Sequence, residues 1–293
     1  MNNIKNKIKN IKIEDILCLI IIICPILDML SFVFRNTFST SISPSTFLRP
    51  ILPIAIFIIV FFKNKIKKQM VIVSLVYGIY AVIHLCIYKQ IMAGCSYGGV
   101  ISELQYIINY TFSIINLFLF TYIFWKKDDS KLNKAVLITF GIYVLSLYIS
   151  IITGTSSTTY IEGMGYKGLY ESGNSLCAIL SISLCIILPL LRNKKMMPYV
   201  VILTVLAGIF LTTLVGTRTG LFGFIIIILL YILSECFVAI MKKVHIDKKM
   251  IGYSMLVSVL IITAVVAFGS QTFERREHLK EVQVSNTDVD TGE

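Results

Sequence analysis

Between short basic stretches this chain repeats long apolar runs such as LCLIIIICPILDMLSFVF and LFGFIIIILLYIL, and few folds can bury them. A run of roughly 18 to 22 residues crosses a hydrocarbon core of about 30 Å as an α-helix, because each residue advances the helix by about 1.5 Å. With 56% of its 293 residues hydrophobic and 15% charged, the chain carries too much apolar surface for a water-soluble domain of this length. The ten-residue alternating strands of an outer-membrane barrel are absent from the pattern. The expected fold class is therefore all-α, a polytopic membrane protein.

About nine spans are expected, at 15–34, 48–62, 70–88, 104–125, 134–153, 174–191, 198–215, 219–241 and 250–268, the second being short. Short cytoplasmic loops are enriched in Lys and Arg, so the basic residues set the direction of the chain. Lys5 to Lys12, Lys63 to Lys68, Lys126 to Lys134, Arg192 to Lys195 and Lys242 to Lys249 fall in alternate segments, all on one side, and hold most of the 27 basic residues. The amino terminus is expected inside and the carboxyl terminus outside. A helical domain over 1–268 is then followed by a polar tail over 269–293, read either as the start of an outer domain or as a disordered tail.

The net charge of +11 follows from the same placement: the excess lies in inner loops beside anionic lipid headgroups, and no nucleic-acid partner is implied. The first apolar run is longer than a signal-peptide core and has no A-x-A-like site, so it is expected to be retained. Six of the seven cysteines fall within spans or at their ends, leaving Cys95 in an outer loop and no disulfide framework. No H-E-x-x-H and no phosphate-gripping Walker motif is present, and DVD at Asp288 to Asp290 is a poor match to a metal-binding D-x-D. Neither a metal nor another cofactor is expected.

A charge at the bilayer centre costs about 2.5 to 3.5 kcal/mol on insertion scales, so the depth of each ionisable residue carries information. Asp28, Arg49, His84, Glu103, Lys167, Glu171 and Arg218 all fall toward the outer ends of their spans, whereas Glu235 lies toward the inner side. One polar basin opening outward would accommodate the outer set. Within LVGTRTGLFGF, Gly216 and Gly220 allow positive φ or close backbone approach, and Thr217 and Thr219 bring hydroxyls. Arg218 adds a fork of donors that stays charged at any physiological pH. Together with free N–H groups at the start of a helix, that set suits a phosphate or pyrophosphate. The alternative is an arginine that snorkels to the headgroups from a tight turn.

The outer segment EGMGYKGLYESGN brings Lys167, Tyr166, Tyr170 and Asn174 straight into the next span. Lys167 is a candidate second cation for the same anion, and the tyrosines are candidates for stacking on sugar rings. An interfacial belt of aromatic and basic residues is the plainer account. Pro25 to Asp28 reads as a kinked helix that sets a carboxylate against Arg49, a structural pair, and His84 as a polar packing residue.

LVGTRTGLFGFIII resembles the S/T-R-T/S-small segment between two helices of the O-antigen ligase and O-antigen polymerase superfamily of bacterial membrane glycosyltransferases. GYKGLYESGNSLCAILSISLCIILPLL is similar to the glycine, Asn and apolar helix that precede it in that family. The resemblance implies a metal-independent, inverting transfer at the outer face of the bacterial cytoplasmic membrane. A sugar chain on undecaprenyl pyrophosphate is the donor, and an acceptor glycan or glycolipid supplies the attacking hydroxyl. It makes Arg218 the leading diphosphate ligand, with Lys167 and, more loosely, Arg49 beside it, and it matches Asn174 to the family's Asn. Other membrane proteins of polysaccharide assembly are implied as partners.

Members of the family usually continue into a larger outer domain with a further Arg and, in ligases, a His general base. The sequence given stops at Glu293 within what would be its beginning, and His278 in ERREHLKE does not reproduce the ligase His motif. The expectation is thus a chain truncated relative to the family, closer to a polymerase than to a ligase, with no residue assigned as base. The alternatives are a transporter of a lipid-linked sugar or small molecule, and a non-catalytic remnant.

Overall fold

The computed structural model describes residues 13–38, 68–91, 130–160, 163–193 and 195–242, with scattered helical positions between them. The helices are α1 (Ile13–Phe38), α2 (Lys68–Ile91), α3 (Ser130–Ile152), α4 (Gly173–Ile187), α5 (Met197–Ile209) and α6 (Arg218–Lys242). Between α3 and α4 the chain forms a two-stranded antiparallel hairpin, β1 (Ser157–Thr158) and β2 (Tyr166–Gly168). Among the described residues, five helical stretches are long and apolar enough to cross a membrane: Ile13–Phe38, Ser130–Ile152, Gly173–Arg192, Met197–Leu214 and Arg218–Phe237. The expected spans at 48–62, 104–125 and 250–268 are described only at scattered positions, and the tail lies outside the described residues, as do Arg49, Cys95, Glu103 and His278.

The chain divides into two compact units, Met1–Ile20 with Phe34–Asp129 and Ile21–Val33 with Ser130–Glu293. In the first, α2 shows Leu75, Val76, Ile79, Val82 and Ile83 on its surface, as a helix that meets lipid does. His84 sits beside the Tyr80 ring at 5.7 Å, consistent with packing.

The second unit holds the core. Phe140 and Leu147 of α3, Leu180 and Leu184 of α4, and Val200 and Phe210 on the α5 segment are fully buried against one another. In lipid such helices gain little from apolarity alone, and small residues let them approach. α4 and α6 do so at successive levels. A Cβ added to Gly220 would lie 3.0 Å from the Cys177 Sγ, and one added to Gly223 would lie 3.1 Å from the Ser181 Oγ. Below these, Arg192 and Glu235 form an ion pair at 2.8 Å. The two helices therefore run side by side in the same direction.

Arg192 and Glu235 account for the one charge that the depth pattern set apart. Arg192 is 53% exposed and Glu235 20%, so solvent screening limits the pair to about 1 kcal/mol or less. Glu235→Arg is expected to lower the thermal stability of the detergent-solubilised protein slightly, and adding Arg192→Glu to restore most of the loss. A melting curve of the double variant as low as that of the single one would remove the pair from the account of how the helices align.

Candidate functional site

Two segments singled out in the sequence, 163–174 and 214–220, meet in the structure. The meeting is made by glycine. Gly165 takes φ +70°, and a Cβ built on it would fall 2.4 Å from the Val215 carbonyl oxygen, so the loop backbone lies directly on the turn that carries Arg218. Gly173 packs in the same way on the Thr159 methyl, at 2.7 Å. Thr159 thus stands between the loop and the start of α4, its Oγ1 buried and unpartnered among the described residues.

The turn itself forms for local reasons. At the end of α5, Phe210–Leu214 winds as one π turn, and the Val215 N–H reaches back five residues to the Phe210 carbonyl at 3.0 Å. Thr212 and Thr213 donate to the carbonyls of Gly208 and Ile209, which keeps their hydroxyls satisfied within the apolar helix. Gly216 then reverses the chain with φ +70°, a conformation that glycine reaches without a Cβ penalty. Thr217 caps α6: its Oγ1 accepts from the Gly220 N–H at 3.1 Å and contacts the Cys177 Sγ at 3.2 Å. Ser172 caps α4 in the same manner, accepting from the Ser175 N–H at 3.3 Å.

The starts of α4 and α6 therefore lie next to each other and aim their positive ends the same way. Arg218 occupies the first position of α6, exposed, and Thr219 is exposed beside it. Among the described residues, no hydrogen bond or ion pair engages the Arg218 side chain. Asn174 is exposed in the first turn of α4. Lys167 lies on β2, half-buried, its Nζ donating to the Glu171 carbonyl at 3.1 Å. Four of the residues proposed from sequence, Arg218, Thr219, Lys167 and Asn174, thus lie on adjoining segments with their side chains at least partly open.

Two others are placed differently. Thr217 is 1% exposed, its hydroxyl engaged in capping, so it shapes the turn from within. Tyr170, read as a ring for stacking on sugar, is 4% exposed. Its ring lies 5.3 Å from that of Tyr143 and its hydroxyl 2.7 Å from the Ser146 Oγ. Loss of water around the phenol outweighs that hydrogen bond and pushes its pKa up to about 12. Tyr170 in the folded protein therefore holds its proton longer than in the unfolded chain, and its contribution to stability is complete below about pH 10 and fades between about pH 10 and 12. Against Tyr170→Phe, the wild-type protein should lose stability more steeply across that interval, as read by thermal unfolding in detergent. Parallel curves would show that the phenol is not buried in this way.

Residues that the sequence reading passed over complete the site. Cys177 had been counted only as an apolar residue of a span, and its thiol seats the Arg218 turn. Gly165 had been one glycine among several. The G-M-G spacing in a loop of mixed polarity was the available signal, since glycine at that density marks close approach. Asp28 of α1 accepts a hydrogen bond from the Tyr143 hydroxyl at 2.8 Å, a partner that the sequence did not name.

Comparison with protein families matches residues 9–288 to the model of the O-antigen ligase like membrane protein. No curated protein and no solved structure gives a significant match. The family match runs through both segments that meet at Gly165 and Val215 and through all five membrane-length helices. The chain is thus a multi-pass protein of the cytoplasmic membrane and belongs to the O-antigen ligase like family of membrane proteins.

Proposed function

We propose that this protein transfers an oligosaccharide from undecaprenyl pyrophosphate to a hydroxyl of an acceptor glycan or glycolipid at the outer face of the membrane, as a polysaccharide polymerase. The observation that carries the reading is the seating of the Lys167 loop on the Arg218 turn through Gly165. That contact places two cations on adjoining segments beside two helix N-termini, a set suited to a diphosphate. Arg218 and Glu235 are 17 positions apart on α6, about 25 Å along its axis, so the Arg218 turn and the Arg192–Glu235 pair occupy opposite ends of one membrane crossing. The basic inner loops assign the Arg218 end to the exterior.

In the proposed reaction the acceptor oxygen bonds to the anomeric carbon from the face opposite the leaving group. The bond from that carbon to the diphosphate oxygen breaks, and the lipid diphosphate departs with the bonding electrons. The acceptor hydroxyl gives up its proton to water at the open rim of the site as the new bond forms. Negative charge grows on the diphosphate along this path, and donors fixed beforehand at its position stabilise that change. Arg218 is assigned to the diphosphate together with Lys167, and Arg49 is kept as a third candidate. Asn174 and Thr219 are assigned to polar contacts with the same headgroup or its first sugar. Thr217 and Tyr170 support the site from beneath. The site's position at the rim of the bundle favours transfer over transport through the midplane.

The test is reconstitution. Purified protein in liposomes, given an undecaprenyl-pyrophosphate oligosaccharide extracted from the same cells, is expected to release undecaprenyl pyrophosphate and lengthen the glycan. EDTA is expected to leave the rate unchanged, because the cations of the site are side chains. Movement of intact donor across the bilayer with no glycosidic bond formed would replace this reading with transport.

A further inference from the structure

We infer that Asp28 and Tyr143 are positioning residues that hold the Lys167 loop at the transfer site through the buried Tyr170; the inference rests on the reading of that site given above. Asp28 stands in an apolar helix, where a carboxylate is costly to bury and calls for a partner. Tyr143, 3% exposed on α3, provides one by donating its hydroxyl proton to the Asp28 Oδ2 at 2.8 Å. A hydrogen bond to an ionised acceptor is about twice as strong as one between neutral groups, so it fixes the Tyr143 ring firmly.

That ring forms the floor on which Tyr170 lies. The planes meet at 38° with centroids 5.3 Å apart. Ser146, whose hydroxyl reaches the Tyr143 carbonyl at 2.9 Å, holds the Tyr170 hydroxyl at 2.7 Å and so ties it to the same stretch of α3. The loop is seated a second time one turn further along α3. A Cβ added to Gly168 would fall 2.7 Å from the Leu147 Cδ2 and 3.1 Å from the Ser150 Oγ. Lys167 precedes Gly168 and stands three residues before Tyr170, so both seats lie within the segment that the bond from the Lys167 ammonium to the Glu171 carbonyl closes. Asp28 belongs to α1 and is bonded to Tyr143 of α3, outside the Lys167 loop itself. It acts by orienting Tyr143, which in turn fixes Tyr170 and the cation beside it.

Three variants separate this role from general support of the fold. Tyr143→Phe keeps the ring and removes only the donor, Asp28→Ala removes the acceptor, and Asp28→Asn keeps an acceptor oxygen. The first readout is independent of activity: labelling of Lys167→Cys, in a Cys95→Ser background, by a membrane-impermeant maleimide on intact cells. Labelling is expected to accelerate in Tyr143→Phe and Asp28→Ala and to stay at the parental rate in Asp28→Asn. The second readout is transfer kinetics with Lys167 intact. Donor KM is expected to rise about tenfold in Tyr143→Phe, the worth of one hydrogen bond to a charged group, while kcat is largely kept, and Asp28→Asn restores most of the loss.

Unchanged labelling and unchanged KM in Tyr143→Phe would overturn the proposal, and so would a fall in kcat alone. If Asp28→Ala does not accumulate in the membrane, the other two variants decide. Faster labelling in Tyr143→Phe together with full transfer by Arg218→Ala would leave the coupling in place and remove the functional reading on which it rests.

Discussion

Arg218→Ala is expected to lower oligosaccharide transfer about a hundred- to a thousandfold, the loss that follows removal of a preorganised donor to a developing oxyanion. The side chain is exposed at the start of α6 and engages no protein group among the described residues, so its removal leaves no buried partner unsatisfied. Membrane level and thermal stability should therefore match the wild type. Arg218→Lys is expected to fall between the two, since it keeps the charge and gives up the planar fork that grips two oxygens at once. In cells, surface glycan should shorten toward single repeat units while the lipid-linked donor accumulates. A wild-type distribution of chain lengths at equal protein level would remove Arg218 from the reaction.

The second large effect is expected at Gly165, through geometry and not charge. In Gly165→Ala the new methyl would stand 2.4 Å from the Val215 carbonyl oxygen and 3.0 Å from its carbon, both backbone atoms that no rotamer change can move aside. The residue must also hold φ +70°, which costs a residue with a Cβ about 1 to 3 kcal/mol. The loop should lift from the turn, and transfer should fall as far as it does in Arg218→Ala. Here the solubilised protein should also unfold at a lower temperature, which separates loss of docking from loss of a ligand. Gly163→Ala is the control. It shares the positive φ, at +79°, but its added Cβ would meet nothing within 4 Å, so it bears the strain without the collision. Equal effects of the two substitutions would show that strain alone matters and that the contact with Val215 does not organise the site.

The helices of the second unit were legible because lipid thickness sets their length. The runs expected at 134–153, 174–191, 198–215 and 219–241 correspond to helical stretches at Ser130–Ile152, Gly173–Arg192, Met197–Leu214 and Arg218–Lys242. Arg218 at a helix start and glycines where the chain turns or is approached closely were legible too, since Gly216 and Gly220 each have a local geometric cause. What escaped the sequence depends on residues far apart in it. Tyr170 sits in a polar loop and reads as surface; its burial is decided by Tyr143 and Ser146, which belong to the preceding helix. Thr217 was read as a ligand group although it immediately precedes a helix, where threonine often accepts from the N–H groups of the first turn. The hairpin of Ser157–Thr158 with Tyr166–Gly168 is too short to leave an alternating pattern. The bond from Tyr143 to Asp28 escaped as well, because a tyrosine within an apolar helix announces nothing about the carboxylate it serves; the expected pairing of Asp28 with Arg49 falls on a residue outside the described ones.

The π turn at Phe210–Leu214 gives the end of the bundle that carries Arg218 a place where a change in length can be taken up. One residue beyond the usual four is accommodated there, so a deletion within Leu211–Thr213 can be absorbed by tightening to ordinary pitch. Each residue of an α-helix corresponds to about 100° of rotation. Dropping one from a regular stretch would swing the guanidinium by that much, whereas dropping one from the π turn restores the ordinary repeat and leaves its bearing close to where it was. Loss of a single residue at this turn is thus expected to be tolerated, with α5, α6 and the direction of Arg218 preserved.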